Sequence, residues 1–469
     1  LQAQISEDAD AIAISDGPKT AHSASFGLRT GALSPLETLA QSVSTIAPST
    51  TPTLTVPLVF ALAGQGTAFA YLLAMILMVL VGLCIAAFAR ESSSPGSLYM
   101  YARTSLPPAF SAVTAWALFF AYVGTASAVL GGFLSYANVF LEPHQVHVPA
   151  LLIAALAAVA AGWVAYHNVK ISARLMLCIE AVSVALIGVV VALTLMRHGL
   201  HLDHAQFNLH AMPARGVGLG VMLAIFSFVG FESATTLGAE ARQPLRTIPR
   251  AVIQSALLAG VFFIVCCYGE TLGFRQSAVT LDQSAAPFRF LAAQAGVAAL
   301  GPVIDAGVLV SMFAATLACV IAASRVLLLM AHHGLAHRRL TKTHTRNQTP
   351  GTAGLLVAVL AFLPAAGMIL RGVSGADIYG WMGTLAVYGF LTAYGMSAVA
   401  LAMHRRQQGR MTFGVMLLCG AAAAAMLLAM ASNFYPVPPA PLRYFPYIYA
   451  AYLAAAVVVM SARPSQTDN

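Results

Sequence analysis

The chain has 469 residues, of which 59% are hydrophobic and 9% charged, with a formal net charge of +8. Soluble domains carry about 25% charged residues, so this composition excludes a soluble globular protein, and long Ala/Leu/Val runs exclude the alternating pattern of an outer-membrane barrel. The positive charge is spread over short loops and forms no basic domain, which excludes a nucleic-acid role and leaves membrane lipids as its partners.

Residues 1–30 are polar and acidic without the apolar stretch of a signal peptide, and read as a disordered tail. Apolar stretches then predict an all-α membrane protein with twelve transmembrane helices, at about 33–63, 67–89, 108–140, 148–166, 172–197, 216–238, 249–271, 297–331, 351–370, 376–403, 411–432 and 443–462, before a short tail at 464–469. With the N-terminus cytoplasmic, fourteen Lys and Arg residues fall on inside loops and six on outside loops. This asymmetry predicts both termini on the cytoplasmic side. All six cysteines fall inside predicted helices, so no disulfide or zinc framework is expected.

The first span, "QSVSTIAPSTTPTLTVPLVFALA", contains Pro48, Pro52 and Pro57 among many hydroxyl residues, and cannot form one smooth lipid-facing helix. The sixth, "IFSFVGFESATTLGAE", carries Gly230 and Glu232 in an apolar run, although an acid at a helix centre costs about 2.5–3.5 kcal/mol. Each half of the chain, 31–200 with helices 1–5 and 213–405 with helices 6–10, therefore begins with an interrupted helix, and helices 11 and 12 at 410–463 stand outside the repeat. An odd number of spans per half makes the halves inverted, as in transporters whose solute binds at two midplane breaks.

A broken helix exposes backbone groups. Around Ile46, Ala47, Ser49, Thr50 and Thr51 the free N–H groups suit a carboxylate; at the second break the carbonyls of Phe226, Ser227 and Val229 suit an ammonium, with Phe226, Phe228 and Phe231 excluding water. No cofactor is required. Glu232 has two readings that are not exclusive: a proton-coupling carboxylate, or a structural acid receiving N–H groups of the second half-helix. Glu180, about two turns into helix 5, is expected to pair with a base near the inner gate and so to contribute to gating. Glu37 and Glu270 lie at span ends and read as interfacial, Asp305 as a cap, and Arg325 as a snorkelling residue. Among pocket-facing aromatics Tyr122 and Tyr388 are deepest, while Tyr379, Trp381 and Trp116 read as belt residues. The histidines at 198, 201, 204 and 210 lack a metal-binding companion and read as solvated loop residues.

The stretch "FSFVGFESATTLGAEARQPLRTIPRAV", Phe226 to Val252, resembles the helix 6 signature of the amino acid–polyamine–organocation (APC) transporter superfamily. "SPGSLYMYARTSLPP", "NVKISARLMLCIE" and "AASRVLLLMAHHGL" look like its helix 3, 5 and 8 segments. The resemblance implies a LeuT-type 5+5 inverted repeat with helices 1 and 6 broken, and secondary transport of amino acids or related amines across a cell inner membrane, bacterial by analogy. Carried over onto this chain, it implies a gating role for Phe226, amine-binding carbonyls at Phe226 and Val229, substrate-facing positions at Val123 and Ala126, and Cys319 near the pocket wall. Two departures stand out. The first break is "APSTT", where the family has a glycine-rich turn, and Ser183 occupies the helix 5 position at which some members carry a lysine. His332 and His333 replace an Arg-Asp pair of the family's inner gate.

The expected function is a secondary transporter of a small amine-bearing solute, working by alternating access with a co-transported proton. The alternatives are an exchanger, or a sensor that binds the same solute and transports little. An intramembrane enzyme would need a nucleophile–base pair or a metal motif, and neither is visible.

Overall fold

The computed structural model describes residues 26–28, 30–92, 94–142, 145–167, 170–199, 203–208, 214–344, 347–435 and 437–461. The tails at 1–25 and 462–469, with Asn168, Val169, His201, His210 and Arg346, lie outside the described residues. The body is helical: α1 Pro35–Ile46, α2 Val56–Ala63, α3 Thr67–Ala89, α4 Ser97–Ser105, α5 Pro108–Leu141, α6 Ala150–His167, α7 Lys170–Arg197, α8 Ala214–Phe226, α9 Pro244–Gly273, α10 Pro287–Gln294, α11 Leu300–His332, α12 Gly351–Ile369, α13 Gly375–Gln407, α14 Phe413–Ala431 and α15 Phe445–Ser461. Among the described residues the β pairing is one isolated bridge, Leu33 to Ala241.

Nine stretches of the described residues are long and apolar enough to cross a membrane, and the first runs from Pro35 to Ala89 across the Gly64-Gln65-Gly66 turn. The shorter apolar helices Arg215–Phe226 and Leu442–Val458 accompany them. Leu156, Val159 and Trp163 on α6 and Leu427 and Leu428 on α14 are exposed, as side chains facing lipid would be. The short helices α4 and α10 are not foreseen by hydropathy, because neither has a span's length of apolar residues.

Two packing groups make up the body. α2, α3, α8 and α9 pack on one another, with α1 against α9; α5 packs on α11, α12 and α13, and α6 on α12 and α11; α7 touches α1, α9 and α11. The first break, the second break and the polar side chains around them lie where these groups meet.

α1 begins with a capping box: Glu37 N–H donates to Ser34 Oγ at 3.3 Å, and Ser34 N–H to Glu37 Oε2 at 2.8 Å. Glu37 is therefore buried as a cap, not interfacial. Glu270, also expected at an interface, is fully buried because α9 continues past it to Gly273. Arg325 does not snorkel. It is 1% exposed, and its Nε and Nη2 donate to Glu240 at 2.6 and 2.8 Å. The loop after the second break brings Glu240 to it, and that loop is pinned by Leu33 N–H to Glu240 O at 2.8 Å and Arg242 N–H to Leu33 O at 3.0 Å. Asp305 accepts from Arg289 Nε at 2.7 Å and so ties α11 to α10 rather than capping a helix.

Candidate substrate site

At the first break α1 stops because Ala47 turns left-handed, with φ 49°. The chain re-enters helix through a wide π turn, Thr51–Thr55. Pro48, Pro52 and Pro57 supply no N–H donors there, so a regular hydrogen-bond ladder through this stretch is impossible. Ser49 N–H donates to Glu180 Oε1 on α7 at 2.7 Å.

The second break follows α8 as a run of tight turns. Ser227, Phe228 and Val229 N–H groups donate to the carbonyls of Ala224, Ile225 and Phe226 at 3.0, 3.0 and 3.2 Å. A carbonyl has two lone pairs, so each of these acceptors keeps one for a ligand. Gly230 then turns with φ 93°, and a 3-10 segment runs over Ser233–Leu237. A side chain at Gly230 would collide with Thr45.

A ladder of hydroxyls binds the second break to α1. Ser42 Oγ donates to Phe231 O at 2.7 Å and accepts Ala234 N–H at 3.1 Å; Thr45 Oγ1 meets Ser233 Oγ at 2.9 Å. The two breaks consequently face each other across a narrow cavity of about 10 Å³, which in this closed conformation leaves room for about one water. Its lining is Thr45, Ile46, Ala47, Thr50, Thr51, Thr125, Val129, Phe226, Ser227, Val229 and Tyr379, with no formal charge. Larger recesses between α6 and α12, and against α3 and α9, are almost wholly apolar and lie on the body's outer flank.

Two lining side chains decide what the cavity can do. Thr50 Oγ1 and Thr125 Oγ1 are buried without any hydrogen-bond partner. An unmet buried hydroxyl costs about 1–3 kcal/mol, so a polar solute that reaches both recovers that energy. Phe226 lies edge-on to Tyr379 at 5.3 Å, and Tyr379 donates to or accepts from Thr55 at 2.8 Å. Ser227 Oγ shares a 2.9 Å bond with Tyr71.

Of the residues singled out from sequence, the cavity takes in Ile46, Ala47, Thr50, Thr51, Phe226, Ser227 and Val229. Ser49 lies behind it on Glu180. Glu232 is fully buried, its oxygens accepting Tyr122 at 2.8 Å and Tyr394 at 2.6 Å. Phe231 packs against Tyr394, and Tyr388 turns away to stack on Tyr449 of α15. Val123, Ala126 and Cys319 are not in the lining, and Ser183 donates to Ile179 O beside Gly307. Thr45, Thr125 and Val129 join the lining without having been singled out, and Tyr379, read from sequence as a belt residue, lines it too. A three- and four-residue spacing from Tyr122 along α5 would have found the face of Thr125 and Val129.

The amino acid permease family profile matches residues 44–463. The chain belongs to the amino acid permease family. Among its relatives, the branched-chain amino acid permease BcaP of Lactococcus lactis subsp. cremoris is 26% identical, over 79% of this chain and 81% of its own length. BcaP of Bacillus subtilis is 24% identical over 74% and 75%, and the methylthioribose transporter of Bacillus subtilis 23% over 74% and 75%. The permease is thus a multi-pass membrane transporter with a small-molecule substrate, and the cavity between its broken helices is the candidate place for that molecule.

Proposed function

We propose that this permease carries a neutral amino acid with an apolar side chain across a cytoplasmic membrane, coupled to a proton and by alternating access. The observation that carries the reading is an uncharged cavity lined by two unpartnered hydroxyls, Thr50 and Thr125, and by the backbone of the second break at Phe226, Ser227 and Val229. The solute's carboxylate goes to Thr50 and Thr125, its ammonium to the carbonyls of Phe226 and Val229, and its side chain to Ile46, Ala47 and Val129. A cationic or acidic side chain would find no countercharge there. The names of the two BcaP relatives agree with this choice.

The twelve-span, LeuT-like arrangement supplies the motion. The group of α1, α2, α3, α8 and α9 rocks against the group of α5, α6, α11, α12 and α13, with the basic-loop face cytoplasmic. Polar ties cross this boundary at three depths. Glu240–Arg325 and Gln41–Ala318 (Nε2 to O, 3.0 Å) hold the basic face shut. Glu232 with Tyr122 and Tyr394 holds the middle. Thr55–Tyr379 and Tyr136 to Thr53 O, at 2.8 and 3.4 Å, hold the far side. Breaking one outer set while keeping the other opens the cavity to one side at a time. With a phenol donating to each oxygen, Glu232 anchors the second break to α5 and α13.

Counterflow of labelled leucine in proteoliposomes tests this. Unlabelled leucine, isoleucine and valine should drive uptake, whereas lysine and glutamate should not. Absence of counterflow with any amino acid, despite saturable binding, would mean a sensor and overturn the transport reading.

A further inference from the structure

Among the described residues the buried acids of the helical body each have an answering group, with one exception. Glu240 has Arg325, Asp305 has Arg289, Glu232 has two phenols and Glu180 has the Ser49 N–H. Glu270, on α9, is fully buried, and neither of its oxygens has a hydrogen-bond partner. The adjacent Thr271 Oγ1 is unpartnered as well.

An unpaired carboxylate anion in such a place costs several kcal/mol, whereas the neutral acid does not. Among the described residues no group of three or more His, Cys, Asp and Glu side chains gathers to hold a metal ion, at Glu270 or elsewhere. The ligand this acid takes is a proton.

Its position links it to both breaks. The Tyr71 and Tyr136 phenols lie within electrostatic reach of Glu270. Tyr71 is bonded to Ser227 of the second break at 2.9 Å, and Tyr136 donates to Thr53 O in the π turn of the first at 3.4 Å. Glu270 is thereby coupled electrostatically to one phenol at each break.

Among the described residues the surroundings offer no free cation to hold the charge instead. α3 presents Tyr71, α5 presents Tyr136, and α9 itself adds Cys266 and Cys267. α7 meets α9 through Val191 and Thr194 at Gly269 and Gly273, and α10 through Leu291. The π turn and the 3-10 segment consist of Thr, Pro, Leu, Ser and Ala residues. Arg289 is committed to Asp305, and Glu37 to the α1 cap.

Resting on the transport reading above, we propose that Glu270 is a proton-binding site, loaded in this closed conformation, through which the permease couples solute to the pH gradient. When the two groups part, Tyr136 leaves with α5 while Tyr71 stays with α3 and α9, water reaches Glu270, and the carboxylic acid releases its proton to that water as the carboxylate forms. Reprotonation from the other side precedes closure around the next solute.

The test uses the full chain in proteoliposomes, with leucine counterflow measured at equal pH and net accumulation measured under a gradient. One proton per solute gives about tenfold accumulation for each pH unit. Glu270→Gln, a mimic of the neutral acid, should keep counterflow and lose gradient-driven accumulation; Glu270→Asp should restore it. Absence of wild-type counterflow would refute transport itself, a different failure. A second readout is independent of transport: the infrared carbonyl band of a buried protonated acid should be present in the wild type, absent in Glu270→Gln and shifted in Glu270→Asp. Wild-type accumulation by Glu270→Gln overturns the proposal. So does a band that survives Glu270→Gln or, if that variant fails to fold, one that Glu270→Asp leaves unmoved.

Discussion

The first break turns on Ala47 at φ 49° and continues into a π turn; the second turns on Gly230 at φ 93° and continues as a 3-10 segment. Each interrupts a helix near a buried acid, but the acids are used differently. At the first break the carboxylate of Glu180 arrives from α7 and takes the Ser49 N–H. At the second, Glu232 belongs to the break itself and is held from outside by Tyr122 and Tyr394. The first break is thus a backbone opening capped by a distant side chain. The second is a side-chain anchor on a backbone that must be glycine, because Thr45 fills the space a Cβ would need.

That difference gives an ordered set of expectations. The largest effect belongs to Gly230→Val, which combines a left-handed φ with a collision against Thr45 and should abolish leucine uptake and lower folded yield. Its counterpart Ala47→Gly, at a site where a left-handed residue already costs about 1–2 kcal/mol, should change stability by no more than about that amount. Equal damage from both, read by uptake and thermal unfolding, would erase the distinction between the breaks. A middle-sized effect is expected at Glu180. Its replacement by alanine strands the Ser49 N–H and should cost about 1–3 kcal/mol of stability, while Glu180→Gln, which still offers an acceptor, should cost less. Unchanged unfolding of the alanine variant would show that the first break does not need its cap.

The smallest effect lies away from both breaks, at the basic face. His333 Nδ1 is 2.8 Å from the Tyr99 hydroxyl, with Phe26 at 6.3 Å. Burial first, then the charges of Arg103 and His332, push its pKa down to about 4. Because this lies below the unfolded value of about 6.5, its contribution to stability is complete above pH 6.5 and erodes as pH falls toward 4. His333→Gln should flatten the unfolding temperature over that window by a modest amount. An identical pH profile in the variant would contradict the assignment.

Helix extents and the two interruptions were legible in the sequence, because apolar length and the punctuation of Pro48, Pro52 and Gly230 are local signals. Partners across the chain were not. The Glu180–Ser49 contact spans 131 positions and Arg325–Glu240 spans 85, and no spacing rule connects them. Arg325 looked like a snorkelling residue because its helix position is visible in sequence and the loop carrying Glu240 is not. Tyr379 looked like a belt aromatic because it stands near the start of α13, yet that helix begins deep enough to bring its ring to Phe226. Glu270 escaped for the converse reason: depth was judged from the end of an apolar run, and α9 extends beyond it.

The central claim is that one solute bridges both breaks, with its carboxylate at Thr50 and its ammonium at Phe226 and Val229. Competition against leucine uptake by leucine itself and by isopentylamine, which lacks the carboxylate, tests it directly in the wild type and in Thr50→Val. A hydrogen bond to a charged group contributes about 1.5–3 kcal/mol, so Thr50→Val should weaken leucine by roughly tenfold or more and leave isopentylamine nearly unchanged. Equal weakening of both, or of neither, would contradict it.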